Sequence, residues 1–178
     1  MKRNNYFLVG MPASGKSTIG NLVARQLGLN FFDLDSMIVE MEGALITDIF
    51  KDHGEEYFRE VEKACLMEFV QGHTNYVLAT GGGAPCFFNN MELMNKNGTT
   101  IFLNVDLDDL YQKLSAKGTQ KRPLLKDKSP EELYQELTSK YRHRKHFYLQ
   151  SKICLDQRLS DITERANQVI FAIKTLEK

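Results

Sequence analysis

The chain has 178 residues, 42% of them hydrophobic, and its 23 basic and 23 acidic side chains balance to a formal net charge of zero. That length suits one domain over 1–178 with a two-sided core that needs no staples, and the charge balance gives no reason to expect nucleic acid or an anionic membrane as the main partner. No apolar stretch nears the length of a bilayer span, no signal-peptide core follows the N-terminus, and the widely spaced Cys65, Cys86 and Cys154, without a C-x-x-C, predict free thiols in a reducing, cytoplasmic compartment.

The first predicted strand, near 5–9, runs straight into Gly10-Met11-Pro12-Ala13-Ser14-Gly15-Lys16-Ser17. This fits G-x-x-x-x-G-K-[ST], the P-loop, in which glycines let successive backbone N–H groups turn inward on a phosphate. Lys16 then reaches the β- and γ-phosphates, and the Ser17 hydroxyl is offered to Mg²⁺. A helical pattern follows over 16–28, with Ile19, Leu22, Val23 and Leu27 on one face and Gly28 as its stop. An ordinary glycine-rich turn is the plainer reading, and the strand before and helix after weigh against it. The motif predicts a bound nucleoside triphosphate.

Further strands are predicted near 30–34, 75–80, 99–105 and 152–156, and helices near 35–42, 46–70, 87–97, 107–117, 130–150 and 160–176. Strands alternating with helices predict βαβ units and a parallel five-stranded sheet, with ligands at the carboxyl ends of its strands. Asp33-Leu34-Asp35 closes the second strand, where one carboxylate can order water around Mg²⁺ and the other can accept a proton from a substrate hydroxyl. The plainer alternative is that Asp35 caps the next helix. Gly81-Gly82-Gly83, at the end of the third strand, bares backbone to a ligand or simply makes a flexible turn.

Arg59 lies on a helix with Glu62 three residues on, which by itself suits pairing on a solvated face. Lys117 to Pro130 is polar, basic and long for a connector, the pattern of a lid, and it carries Arg122. Arg142 and Arg144 stand in a basic run late in a helix, with His143 and His146 between and beside them. In a neutral chain that run is read as solvated or nucleotide-facing rather than as a nucleic-acid patch or a metal pair. No apolar interface stripe is evident, which predicts a monomer.

In this combination and order the chain resembles the shikimate kinases, small P-loop kinases of the nucleoside-monophosphate-kinase fold, over nearly its whole length. The residues that carry the resemblance are Gly10 to Thr18, Asp33 with Asp35, and the stretch Ile49-Phe50, Gly54-Glu55, Phe58-Arg59 and Glu62. Gly81 to Gly83, Arg122-Pro123-Leu124-Leu125, and Arg144 with Tyr148 complete the set. The resemblance implies a three-layer α/β/α fold with a mobile lid over about 117–129 and substrate-binding helices over about 35–70. It implies transfer of the ATP γ-phosphoryl group to the 3-hydroxyl of shikimate, with Mg²⁺ as the metal.

By the same resemblance Asp35 holds shikimate hydroxyls as the base, Arg59 and Arg144 clamp its carboxylate, and Gly81, Gly82 and Gly83 line the ring. Glu62 fixes Arg59, and Arg122 closes with the lid on the transferred phosphate. Pro12, Ala13, Ser14, Gly15, Lys16, Ser17 and Thr18 hold the phosphates, Gln157 or Arg158 flanks the base, Ser17 binds Mg²⁺ directly, and Asp33 holds it through water. Three departures are visible: His146-Phe147 stands where the family commonly has Pro-Leu, with Arg142 as the alternative to Arg144; Pro12-Ala13 stands where another glycine is common; and the arginine that often stacks on adenine just before the lid has no clear match, with Lys117 or Lys113 as the stand-in. Other readings are a gluconate or nucleotide kinase of the same fold, or a nucleotide-dependent switch or inactive shikimate-binding regulator. Against a switch, Asn95-Lys96-Asn97-Gly98 lacks the aspartate of a guanine motif.

Overall fold

In a computed structural model, residues 4–116, 129–157 and 161–176 are described. Five strands, β1 (Asn5–Val9), β2 (Asn30–Asp33), β3 (Tyr76–Ala79), β4 (Thr99–Val105) and β5 (Ile153–Gln157), form one sheet in the order β2-β3-β1-β4-β5. All four pairings are parallel. The helices between them are α1 (Lys16–Leu27), α2 (Leu34–Glu42), α3 (Ile46–Gly72), α4 (Asn90–Asn97), α5 (Leu107–Ala116), α6 (Pro130–Tyr148) and α7 (Ile162–Leu176).

Side chains alternate across a strand, so a sheet covered on both faces needs apolar residues at successive positions. β1 shows this with every residue buried. Tyr6 and Leu8 join Val77, Ile101 and Leu103 under α1 and α7, packing on Ile19, Val23, Val169 and Ile173. Phe7 and Val9 point the other way, with Leu78 and Phe102, onto Leu66 and Phe69 of α3, Met94 of α4, and Leu133 and Leu137 of α6. The result is the expected α/β/α stack.

Local signals set the helix ends. Gly28 adopts φ +66°, and the N–H groups of Gly28 and Leu29 close on the Arg25 and Ala24 carbonyls, a left-handed stop open to glycine. At α6, Ser129 accepts from the Glu132 N–H while Glu132 returns a bond to the Ser129 N–H, a capping box with Pro130 inside it. α3 is broken at Gly54 (φ +82°, ψ 177°), so its first turns stand at their own angle to the long second part that carries Arg59 and Glu62. Residues 84–86 form a 3₁₀ turn, and α4 starts at Asn90, later than the predicted 87. No described helix is long and apolar enough to cross a membrane, and Cys65, Cys86 and Cys154 are free thiols.

Candidate active site

The parallel register brings the strand ends to one level. Asp33 and Leu8 both pair with Ala79, and Leu8 also pairs with Ile101. The P-loop therefore leaves β1 beside the carboxylate that ends β2 and the glycines that follow β3, at the carboxyl edge where parallel sheets bind ligands.

The P-loop forms a tight arch between β1 and α1. Gly10 has φ +142°, and a side chain there would come within 2.9 Å of the Leu103 carbonyl oxygen. Gly15 has φ +96° and forms the N-terminal boundary of α1. Ala13 takes φ +66° without being glycine, which costs about 1 kcal/mol. The Lys16 ammonium is folded over the arch, donating to the Gly10 carbonyl at 3.0 Å and the Met11 carbonyl at 2.9 Å. Ser17 and Thr18 are exposed on the first turn of α1.

Ser17 donates from Oγ to Asp33 Oδ2 at 2.5 Å. A hydroxyl on the first turn of α1 and a carboxylate at the end of β2, both oxygen donors beside a phosphate loop, suit Mg²⁺. The other Asp33 oxygen, Oδ1, accepts from the Asp35 and Ser36 N–H groups. Asp33 is thus the cap of α2, and Asp35 sits within its first turn, half-buried and facing the glycine triplet. The plainer reading of Asp35 as the cap gives way to one in which Asp33 serves both the cap and the Ser17 side.

The triplet works through what it lacks. A Cβ at Gly81 would lie 2.8 Å from Asp35 Oδ1 and 2.9 Å from Glu62 Oε1; one at Gly83 would lie 2.7 Å from an Arg59 guanidinium nitrogen. One at Gly82 would lie 2.8 Å from Pro12 Cδ, so the triplet also touches the P-loop. Bare backbone is required for two carboxylates, a guanidinium and the phosphate loop to converge there.

Arg59 is 8% exposed and Glu62 0%, so their pair is buried rather than solvated. Nη1 donates to Glu62 Oε2 at 2.8 Å, and the Phe50, Phe58 and Phe87 rings surround the guanidinium with centroids 5.9, 5.0 and 4.2 Å away. Its Nε and Nη2 both donate to Oε1 of Glu55, at 3.2 and 3.0 Å, and Glu55 is 57% exposed. The outward edge of this fork already holds a carboxylate. Glu62 Oε1 is buried without a hydrogen-bond partner among the described residues, and desolvation raises the Glu62 pKa above its ordinary value, with Arg59 opposing.

Arg144 rather than Arg142 turns toward this cluster. Arg142 is exposed, whereas Arg144 is half-buried and near enough to lower the pKa of Glu62, Cys86 and Tyr148. Burial outweighs it at Cys86, whose thiol is pushed up to about 11 and stays protonated. With His146-Phe147 in place of a proline, α6 runs unbroken to Tyr148. There the buried phenol donates to the Gly82 carbonyl at 2.6 Å and toward Met11 Sδ at 3.8 Å. The end of α6 is thus tied to both the triplet and the P-loop.

Two expected contacts, Arg122 and Arg158, lie outside the described residues, as does nearly all of the expected lid. Gln157, expected beside the base, lies at the end of β5. It is 2% exposed, and both ends of its amide are held by Arg165, which in turn donates to the Ser14 carbonyl of the P-loop. Arg165 itself was not singled out by motif. The signal was its position on the apolar stripe of α7, four residues before Val169 and eight before Ile173.

Comparison with known proteins agrees with this geometry. The family model described as shikimate kinase matches residues 12–174. The chain is 45% identical over 147 residues to a shikimate kinase of Azobacteroides pseudotrichonymphae, covering 83% of this chain and 86% of that one. A shikimate kinase structure from Bacteroides thetaiotaomicron superposes with a TM-score of 0.91 at 36% identity, covering 97% of this chain and 99% of that one. One from Acinetobacter baumannii in complex with shikimate gives 0.88 at 29% identity, covering 98% and 94%. A matching family model over most of the length, relatives of this closeness, and an arginine–carboxylate cluster beside a P-loop lead to one conclusion: the chain belongs to the shikimate kinase family.

Proposed function

We infer that the chain is an ATP-dependent kinase that phosphorylates the 3-hydroxyl of shikimate, producing 3-phosphoshikimate for chorismate and aromatic amino-acid synthesis. The observation that carries this reading is the convergence of Asp35, Glu62 and Arg59 on the bare Gly81–Gly83 backbone, against Pro12 of the P-loop. An acceptor there meets a base, a buried cation and the phosphate donor together.

The chemistry follows from the parts. The substrate carboxylate takes the outward edge of Arg59, where Glu55 now sits, and Arg144 closes on its other side; a planar fork suits a carboxylate better than an ammonium does. Glu62 holds Arg59 in place from behind. Asp35 orients the ring hydroxyls and accepts the proton of the attacking 3-hydroxyl, whose oxygen bonds to the γ-phosphorus as the bond to the β–γ bridging oxygen breaks and ADP leaves. The backbone of residues 12–18 and Lys16 hold the transferred charge, with Lys16 released from the Gly10 and Met11 carbonyls to do so. Ser17, and Asp33 through water, are the residues that would hold Mg²⁺, which when bound neutralises phosphate charge. Arg122 and the segment over about 117–129 are assigned to lid closure, and Arg158 to the base. We further assign the chain a single domain, a monomeric state and a cytoplasmic setting.

An ADP-release assay with ATP, Mg²⁺ and a panel of acceptors tests this. Turnover with shikimate, and none with gluconate or a nucleoside monophosphate, is expected. No ADP with shikimate, together with turnover of either alternative, would overturn it.

A further inference from the structure

Among the described residues Arg165 is the largest of the fully buried side chains, with 2% of its surface exposed. Its Nε donates to Gln157 Oε1 at 2.9 Å and its Nη2 to the Ser14 carbonyl at 2.6 Å, while Gln157 Nε2 returns a bond to the Arg165 carbonyl at 3.2 Å. Another guanidinium nitrogen, Nη1, lies 3.3 Å from where a Cβ on Gly15 would stand. Burial draws its pKa down, and the negative charge of Asp109 on α5 opposes this. A guanidinium is expensive to bury, and one held mainly for packing is readily replaced by an apolar side chain of similar volume. This one instead spends its hydrogen bonds on an amide and on the phosphate loop.

The Ser14–Gly15 peptide explains the arrangement. In a planar trans peptide the C=O and the following N–H point in opposite directions. A Ser14 carbonyl held by Arg165 on the α7 side therefore sends the Gly15 N–H to the opposite side of the loop. Gly15, at φ +96°, has no side-chain restraint of its own to hold that orientation. A charge-assisted bond to the carbonyl also polarises the peptide and strengthens its N–H as a donor. Gln157 fixes the guanidinium at its other edge, so the fork does not rotate off Ser14.

We propose that Arg165 is a positioning residue for the P-loop, which by gripping the Ser14 carbonyl from behind aims the Gly15 N–H at the nucleotide phosphates and adds a buried positive charge behind them. This rests on the reading of the P-loop as the ATP site. It makes the C-terminal helix part of the donor half, through a residue that touches no substrate.

The test compares wild type, Arg165→Met and Arg165→Lys by calorimetry with ADP, inorganic tripolyphosphate and shikimate, alongside thermal melting. In folded Arg165→Met, ADP and tripolyphosphate should both weaken by about tenfold or more, with shikimate affinity unchanged. Arg165→Lys keeps the charge but reaches one acceptor rather than two, so tripolyphosphate should weaken by about three- to tenfold, again without effect on shikimate. If Arg165→Met does not fold, the lysine variant carries the test. Unchanged tripolyphosphate affinity in a folded variant, or a loss of shikimate affinity equal to that of ADP, would overturn the proposal. A wild-type protein that binds neither ADP nor tripolyphosphate contradicts the nucleotide reading instead.

Discussion

The two halves of the site are built from different materials. The donor half is an arch of backbone between β1 and α1, closed by one lysine and braced by one buried arginine. The proposed acceptor half is an array of charged side chains, Asp35, Arg59 and Glu62, pressed against three residues that have no side chains at all. Backbone donors recognise any phosphate and say little about the acceptor. Side-chain charges at fixed spacing can select one acid with one reactive hydroxyl, as proposed for this cluster. Nucleotide and substrate affinity should therefore respond to separate sets of substitutions, joined where Gly82 meets Pro12, where Tyr148 meets Gly82 and Met11, and where Asp33 links Ser17 to the Asp35 N–H.

The largest separation is expected at Asp35. Asp35→Asn should lower kcat by about 10²–10⁴-fold, the range for a lost general base, while the ADP dissociation constant stays at its wild-type value. Turnover that survives the change removes Asp35 from the mechanism. The converse is Lys16→Met, which should lower kcat by about 10²–10³-fold through lost charge stabilisation and leave shikimate binding intact; a parallel loss of shikimate affinity would show that the halves are not separate.

Glycine substitutions sharpen the boundary at smaller amplitude. Gly83→Ala pushes on the Arg59 guanidinium and should raise the KM for shikimate by about tenfold, the scale of a misplaced binding group, without changing the KM for ATP. Gly82→Ala pushes on Pro12 and should raise both. If Gly82→Ala changes the shikimate KM alone, the triplet does not couple to the P-loop.

The smallest effect concerns Glu62. Burial holds its carboxyl above the ordinary value of 4.5, so between that value and the raised one the folded chain keeps a proton that the unfolded chain has released. Stability contributed by this group accordingly falls as pH rises through that window. Glu62→Gln removes the linkage, so the melting temperature of the variant should decline less than that of wild type over the same pH rise. Identical pH dependence in the two proteins would mean that Glu62 is not the buried acid described.

Most of the scaffold was legible because its signals are local. β1 is continuously apolar, Gly28 stops α1, and glycine clusters sit at strand ends, so the strand–helix alternation and the parallel sheet follow from the sequence. The phosphate loop was legible as a motif, and the charged cluster beside it as residues resembling a family pattern. Local pattern did not show how charges pair once the chain folds. Arg59 and Glu62 at i, i+3 suit an exposed helix face, and the packing of Phe50, Phe58 and Phe87 around the guanidinium, with Gly81 and Gly83 against the pair, makes it internal. Asp33 and Asp35 were interchangeable as caps until backbone geometry assigned the cap to Asp33. Gln157 looked like a base-side residue by position after the last strand, whereas its contacts run through Arg165, more than 100 residues beyond the P-loop, where Arg165 and Ser14 are separated by 151 positions.

The most direct test of the two-part site is calorimetric titration of Arg59→Ala with shikimate and, separately, with ADP. Loss of the charge-assisted pair should weaken shikimate by about 30- to 1,000-fold, equivalent to about 2–4 kcal/mol, with ADP binding as wild type. Wild-type shikimate affinity in this variant, or equal losses for both ligands, would contradict an acceptor half built on Arg59.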